Sequence, residues 1–285
     1  MSIDRRSLLQ AAAAATLAAC GPKRPTPTEP GIVSIALLHL APEAGAIGRN
    51  RAALLHAIQR AAEAGAQWLL TPELCVSGYA FADLAGTDWI APQPDAWLQS
   101  LQTVIARLGV TVFVGMPERS PTTGHLHNAM VAIGPDGQIL GRHWKVRTLS
   151  VGSEAWSSPG STVTPIAAPL LGPVGMFVCA DAVDPSIATS LQAQGARILV
   201  SSANWAPGQY GPAGEWEACS ASTGLPLIVC NRTGVGRTLD FRGAESVVIC
   251  EGTRRLVLTS EEPTVFLIQW DALRREPISH MQLDS

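Results

Sequence analysis

The sequence has little charge and no excess of basic residues. Only 15% of its 285 residues are charged, and 20 lysines and arginines face 23 acidic residues, for a net charge of −3. Nucleic-acid binding requires a basic face, so this balance argues against it, and the low charge density disfavours electrostatic steering of a partner. With 47% hydrophobic residues, the composition is typical of a soluble globular protein.

Cysteine pairs, metal-ligand clusters and long apolar runs are also missing. Apart from Cys20, the chain has five cysteines, an odd number without Cys-x-x-Cys spacing, so we predict no disulfide framework. Among six histidines only His125 and His127 lie close together, and we therefore predict no metal site. No segment reaches the roughly 20 apolar residues that a membrane-spanning helix needs.

The N-terminal 30 residues have the composition of a leader and a linker. Arg5 and Arg6 precede a short alanine-rich stretch, which resembles a twin-arginine export signal. The run Leu17-Ala18-Ala19-Cys20 resembles a bacterial lipobox, in which the cysteine is lipidated. We predict a signal over residues 1–20, a linker over 21–31, and a protein on the periplasmic side, anchored by lipid on Cys20 to the inner or outer membrane. An ordinary amphipathic N-terminal helix is the alternative.

Strand-like and helix-like segments alternate through the rest of the chain. Continuous apolar runs predict buried strands, and apolar residues at helical spacing predict helices between them. The predicted helices cover residues 50–64, 95–108, 184–194 and 213–223. The predicted strands cover residues 32–37, 68–70, 110–114, 128–133, 138–142, 174–178, 198–201, 227–230, 246–250, 256–259 and 265–270. The pattern predicts an α/β protein with mixed sheets, one domain over 32–275 and a tail over 276–285.

Three isolated reactive side chains lie at or near predicted strand ends. Cys179 ends an apolar strand, Glu73 follows Pro72 after another, and Lys145 follows the predicted hairpin. A thiol, a carboxylate that can act as a base, and an ammonium that stabilises an oxyanion together suit nucleophilic cleavage of an amide. Each residue also has an ordinary alternative: a buried structural cysteine, a helix-start glutamate and a solvated lysine. Spacing alone does not show that the three meet.

Five short motifs occur in the order typical of one enzyme superfamily. They are Pro72-Glu73-Leu74-Cys75-Val76-Ser77-Gly78-Tyr79, Gly134-Pro135-Asp136-Gly137 leading to Lys145, Gly175-Met176-Phe177-Val178-Cys179-Ala180-Asp181, Ser202-Ala203-Asn204-Trp205, and Asn231-Arg232-Thr233-Gly234. From about residue 32 to residue 270, the chain therefore resembles the nitrilase, or carbon–nitrogen hydrolase, superfamily.

The resemblance implies an α-β-β-α sandwich of two mixed sheets that acts on a small-molecule amide without a cofactor or metal. It implies that Cys179 is the nucleophile, Glu73 the general base and acid, and Lys145 the oxyanion stabiliser. Glu154 would orient the site, and the N–H of Ala180 would complete the oxyanion hole. Members commonly form homodimers or larger homo-oligomers, so we expect one here.

The sequence departs from the family beside the nucleophile. Ala180 stands where an aromatic residue is usual, and Ala182-Val183-Asp184-Pro185 replaces the usual Arg-Phe-Pro, which we expect to alter substrate selection. Tyr79, Asn204 and Trp205 are candidates for lining the substrate pocket, with core packing as the alternative for the aromatic rings. Acyl transfer from the same thioester, or a non-catalytic binding lipoprotein on this scaffold, are the competing functions.

Overall fold

A computed structural model describes residues 31–283 and contains thirteen strands and five helices over this range. The helices are α1 Ile47–Glu63, α2 Ala82–Ala85, α3 Ala96–Leu108, α4 Pro185–Ala193 and α5 Glu215–Thr223. The strands are β1 Ile32–His39, β2 Trp68–Leu70, β3 Thr111–Arg119, β4 Leu126–Ile133, β5 Ile139–Trp144, β6 Ile166–Ala168, β7 Gly172–Val178, β8 Ile198–Ser202, β9 Leu227–Cys230, β10 Ser246–Cys250, β11 Thr253–Leu258, β12 Thr264–Asp271 and β13 Glu276–Leu283.

The strands form two mixed sheets with a similar plan. The seven-stranded sheet has the order β13-β12-β1-β2-β3-β4-β5, and the six-stranded sheet has the order β11-β10-β9-β8-β7-β6. In each sheet three central strands are parallel, β1-β2-β3 and β7-β8-β9, while the flanking strands pair antiparallel. The parallel strands need crossover helices, which explains the alternation seen in the sequence.

The two sheets pack face to face, and the helices cover their outer faces. Alternate residues of β1 show this, because Ile35 and Leu37 join the core between the sheets, whereas Ala36 and Leu38 pack with the helix residues Leu54 and Ile58. On the other side α4 and α5 cover the six-stranded sheet. The fold is therefore the predicted α-β-β-α sandwich. Among residues 31–283 no helix is both long and apolar enough to cross a membrane.

The structure confirms one predicted helix start and corrects two predictions about strands. Asp95 caps α3 as predicted, its carboxylate accepting the backbone N–H of Leu98. The predicted tail is wrong over residues 276–283, because β13 pairs with residues 265–271 of β12. Most side chains of this edge strand are exposed, so its residues form no apolar run that would predict a strand. The three-residue strand β6 was missed because it is too short for a periodic pattern.

Candidate active site

The chain makes a strained turn at Cys179, directly after β7. Cys179 begins a 3₁₀ segment over Cys179–Val183 and has φ of 47°, in the left-handed region that non-glycine residues rarely occupy. Such a conformation costs on the order of 1–3 kcal/mol, so surrounding contacts must hold it. The carboxylate of Asp181 does so by accepting the N–H of Val178 at 2.9 Å.

Asp181 also connects this turn to the loop that follows β5. Its second oxygen accepts the N–H groups of Val146 at 2.9 Å and Arg147 at 2.7 Å, directly after Lys145. His143 donates through Nε2 at 2.7 Å to the oxygen of Asp181 that also accepts from Val178. Burial alone would raise the pKa of Asp181, but the hydrogen bonds from His143 and the backbone lower it overall. One ionised carboxylate thus fixes Cys179 relative to Lys145.

Lys145 lies between two buried carboxylates. Its Nζ is 2.8 Å from Oε1 of Glu73 and 2.9 Å from Oε2 of Glu154. Asn128, on β4, donates its side-chain amide to Oε1 of both glutamates at 2.7 Å. All four residues are buried, and at full ionisation two negative charges face one positive charge.

The buried charges shift one another's protonation. Burial would lower the pKa of Lys145, but the charges of Glu73, Cys179 and Glu154 raise it well above its ordinary value. Burial raises the pKa of Glu154, against the opposing effect of Lys145. Burial and then the charge of Glu73 raise the pKa of Cys179 well above that of a free thiol. Lys145 is therefore firmly protonated, and Cys179 rests as a thiol, so that a base must take its proton when it attacks.

Glu73 is held where the two sheets approach each other. Its N–H donates to the carbonyl of Ala203 at 3.3 Å, and its Oε2 accepts the N–H of Asn204 at 2.9 Å. The Asn204 side chain donates to the Glu73 carbonyl at 2.5 Å. On the other side Gly115 permits the close approach, because a Cβ there would lie 2.9 Å from Cα of Glu73.

A cavity of about 420 Å³ opens over this cluster. The residues that line it are Tyr79, Lys145, Leu149, Cys179, Ala180, Asn204, Trp205, Ala206, Pro207, Gln209, Tyr210 and Leu239. The cavity is thus lined by Cys179, Lys145, Ala180 and the three pocket candidates. Glu73 and Glu154 are not in its lining but contact Lys145. Burial raises the pKa of Tyr79, and the charge of Glu73 adds to the effect, so its hydroxyl stays protonated.

Trp205 has both of the roles that the sequence left open for it, and Cys75 lies apart from the cavity. Trp205 lines the cavity and also packs, its ring edge-on to Trp216 at 5.4 Å and its Nε1 donating to the Tyr210 carbonyl at 2.8 Å. Cys75 lies outside the cavity lining, and burial raises its pKa to about 12. It is a structural thiol that contacts Thr71 Oγ1 at 3.3 Å.

Sequence reasoning missed Asn128 and the partners of Asp181. Asn128 interrupts the apolar strand β4 on a buried position, and a buried polar residue in such a run is the signal that would have found it. His143 lies in a half-buried strand whose pattern carries no comparable signal.

The model of the family described as carbon-nitrogen hydrolase matches residues 34–272, which is most of the chain. The chain belongs to the carbon–nitrogen hydrolase family. The two mixed sheets covered by helices are the fold of solved structures from this superfamily.

Similar proteins include enzymes of more than one kind. The chain is 26% identical to "Hydrolase MT0498" of Mycobacterium tuberculosis, over 70% of this chain and 79% of that protein. It is 29% identical to a glutamine-dependent NAD(+) synthetase of Rhodobacter capsulatus, over 81% of this chain but only 42% of the synthetase. Among solved structures, an amidase from Nesterenkonia sp. superposes with a TM-score of 0.72 at 25% identity, over 86% and 93% of the two chains. A mutant of the Nesterenkonia sp. AN1 amidase shows Michael addition of acrylamide at its active site cysteine.

Proposed function

We propose that the protein hydrolyses a non-peptide C–N bond of a small amide through a thioester on Cys179. One observation carries the proposal: the strained Cys179 opens onto the same cavity as the ammonium of Lys145, which two buried carboxylates clamp. The amidases and hydrolases among similar proteins support an amide as the substrate class.

In the proposed acylation, Sγ of Cys179 attacks the amide carbonyl while Glu73 takes the thiol proton. The ammonium of Lys145 and the N–H of Ala180 stabilise the oxyanion. When the tetrahedral intermediate collapses, the C–N bond breaks and Glu73 returns the proton to the leaving nitrogen, releasing ammonia or an amine. Lys145 needs no proton transfer of its own, which agrees with its raised pKa.

In the proposed deacylation, Glu73 takes a proton from water, and the resulting nucleophile attacks the thioester. The C–S bond breaks, the acid product leaves, and Cys179 recovers its proton from Glu73. Asn128 holds Glu73 and Glu154 in place throughout by donating to both, and Glu154 in turn holds the ammonium of Lys145. An amine in place of water would give acyl transfer.

The first experiment measures ammonia release from a panel of amides, carbamoyl compounds and nitriles. The purified protein is compared with Cys179→Ala and with Cys250→Ala, a matched control because both thiols are 7% exposed and Cys250 lies on β10 outside the cavity lining. We expect release that Cys179→Ala abolishes and Cys250→Ala retains. A folded protein that binds amides but releases nothing would instead indicate a binding protein.

Export, lipid anchoring through Cys20 and homodimer formation are further parts of the proposal. Residues 1–30 lie outside the described range, so these expectations are based on the leader sequence and the family resemblance alone. Metabolic labelling with a radioactive fatty acid, compared with Cys20→Ala, tests the anchor, and light scattering of the purified protein tests the oligomer. Loss of the label only in Cys20→Ala is the expected result.

A further inference from the structure

Arg232 is a buried cation without an anionic partner. It follows β9, is only 2% exposed, and its guanidinium stacks on the ring of Phe241 at 4.4 Å. Its Nε donates to the carbonyl of Thr233 at 3.1 Å. Over residues 31–283 no carboxylate lies within ion-pair distance of it.

A buried charge without a counter-charge is unfavourable, and Arg232 does not avoid this cost by losing its proton. Burial lowers the pKa of Arg232 only to about 10, so the guanidinium is charged at neutral pH. Buried charges in proteins are normally paired, because removing an ion from water costs several kcal/mol. The ring of Phe241 and one carbonyl oxygen contact the guanidinium, but neither carries the full negative charge that would balance it.

Arg232 lines a second cavity, of about 440 Å³, next to the catalytic cavity. Tyr79 lines both cavities. The loop of residues 234–241 separates them, since its Leu239 lines the catalytic cavity while Val235 and Arg237 line the second one. Backbone bonds from Gly236 to Leu239 and from Phe241 to Gly234 close this loop.

The acidic residues around the second cavity already have other partners. Glu43, which lines it, pairs with Arg49 at 2.7 Å. Asp83 lies 3.6 Å from Arg237, whose side chain is 48% exposed at the cavity rim.

Asp240, in the loop, pairs with Arg242 at 2.6 Å. None of these exposed carboxylates, which lie at the rim or beyond it, supplies the missing counter-charge. The interior of the cavity therefore offers a guanidinium fork to an anion from outside the chain.

We propose that this cavity binds the carboxylate or phosphate group of a small anionic ligand, with Arg232 as its principal contact and Arg237 at the entrance. The planar guanidinium matches the two oxygens of either group. The site is separate from Cys179 and its occupancy does not depend on the reaction there. Because the loop 234–241 forms part of both cavities, a bound anion would also fix the wall that carries Leu239.

Val235→Glu is the decisive variant, with Val235→Gln as its matched control. Val235 lines the cavity and is 68% exposed, so both substitutions are compatible with folding. The new carboxylate would occupy the anion site from within the chain, whereas the glutamine has the same size without the charge. Calorimetric titration of the full-length protein with inorganic phosphate, and separately with glutarate, measures binding at an ionic strength held constant with sodium chloride.

We expect saturable binding of at least one anion per chain to the wild type and to Val235→Gln. Val235→Glu should weaken it by about tenfold or more, the worth of a charged hydrogen bond. In the absence of phosphate and glutarate, Val235→Glu should also melt at a higher temperature than Val235→Gln. Binding of phosphate alone or glutarate alone identifies the group that is recognised. The proposal is overturned if neither anion binds saturably, or if the glutamate and glutamine variants bind with equal affinity.

Discussion

Lys145 and Arg232 are both buried cations that follow strands, yet their surroundings are opposite. Lys145 has two carboxylates within 2.9 Å and an asparagine that holds both of them. Arg232 has an aromatic ring and a carbonyl, and no carboxylate among the described residues. The first cation has its counter-charges within the chain, whereas the second has none among residues 31–283.

This difference indicates what each cavity is built to receive. The ammonium of Lys145 already has two carboxylate partners and does not need a ligand with a negative charge. Its site therefore suits a neutral group on which negative charge develops only during reaction. Around Arg232 the positive charge is present at rest, which suits a ligand that arrives with its own negative charge. The predictions below test this contrast, beginning with the largest expected effect.

Replacing each cation by methionine should affect stability very differently. Lys145→Met leaves Glu73 and Glu154 buried without a counter-charge, and we expect a loss of about 3–5 kcal/mol in the free energy of unfolding. Arg232→Met leaves no carboxylate behind and should cost no more than about 1 kcal/mol, mainly the lost contact with Phe241. Urea denaturation in a buffer without phosphate or carboxylate ions measures both. Equal losses would contradict the contrast.

The same two variants should separate in activity. Lys145→Met removes the ammonium that the proposed mechanism assigns to the oxyanion, so we expect kcat/KM to fall by about 10²–10³-fold with any amide that the wild type hydrolyses. Arg232→Met should stay within about threefold of the wild type on a neutral amide, because it contacts none of the reacting groups. Assays are run well below the melting temperature of each variant. A large loss in Arg232→Met would show that the two cavities act as one.

Removing one carboxylate should partly repair the Lys145 variant. In the Lys145→Met background, Glu154→Gln replaces one unpaired carboxylate by a neutral amide, and we expect it to recover about 1–2 kcal/mol of stability. In the wild-type background the same substitution should be neutral or destabilising, since Glu154 then has Lys145 as its partner. A double-mutant cycle measured by urea denaturation shows the sign change. Additive effects would contradict a stabilising interaction between Lys145 and Glu154.

The smallest predicted effect concerns Asp181, which holds Cys179 relative to Lys145. Its pKa is lower in the folded protein than the ordinary value of 3.8, so its contribution to stability is complete above that value. It is lost as the pH falls through the lower pKa of the folded state. Below pH 4 the wild type should therefore lose more stability than Asp181→Asn. Asp88→Asn, which removes a carboxylate at an exposed position, is the control. Parallel pH profiles for wild type and Asp181→Asn would contradict this.

The sequence predicted the elements and side chains whose signals are local. Apolar runs located the buried central strands, and Asp95 located the start of α3, because both signals lie within a few residues. Motif order identified Glu73, Lys145 and Cys179, and the structure brings Glu73 into contact with Lys145 and places Lys145 and Cys179 on one cavity.

Contacts between distant strands could not be predicted in the same way. Asn128 is 55 residues from Glu73, and Asp181 is 38 residues from His143, so no periodicity connects them. Strand β13 could not be predicted for another reason. An exposed edge strand pairs through its backbone, so its side chains need not follow an apolar pattern. The lone charge of Arg232 is visible only when its surroundings are known.

The rate of acrylamide addition to each cysteine, mapped by peptide mass spectrometry near pH 7, tests the central claim most directly. Cys179 and Cys250 are each 7% exposed, and burial raises the pKa of both thiols, so exposure and acidity alone predict similar slow rates. If Glu73 takes the proton of Cys179, that residue should react about 10²-fold faster or more, and Glu73→Gln should remove the advantage. Equal rates at Cys179 and Cys250, or an unchanged rate in Glu73→Gln, would contradict an activated nucleophile at Cys179.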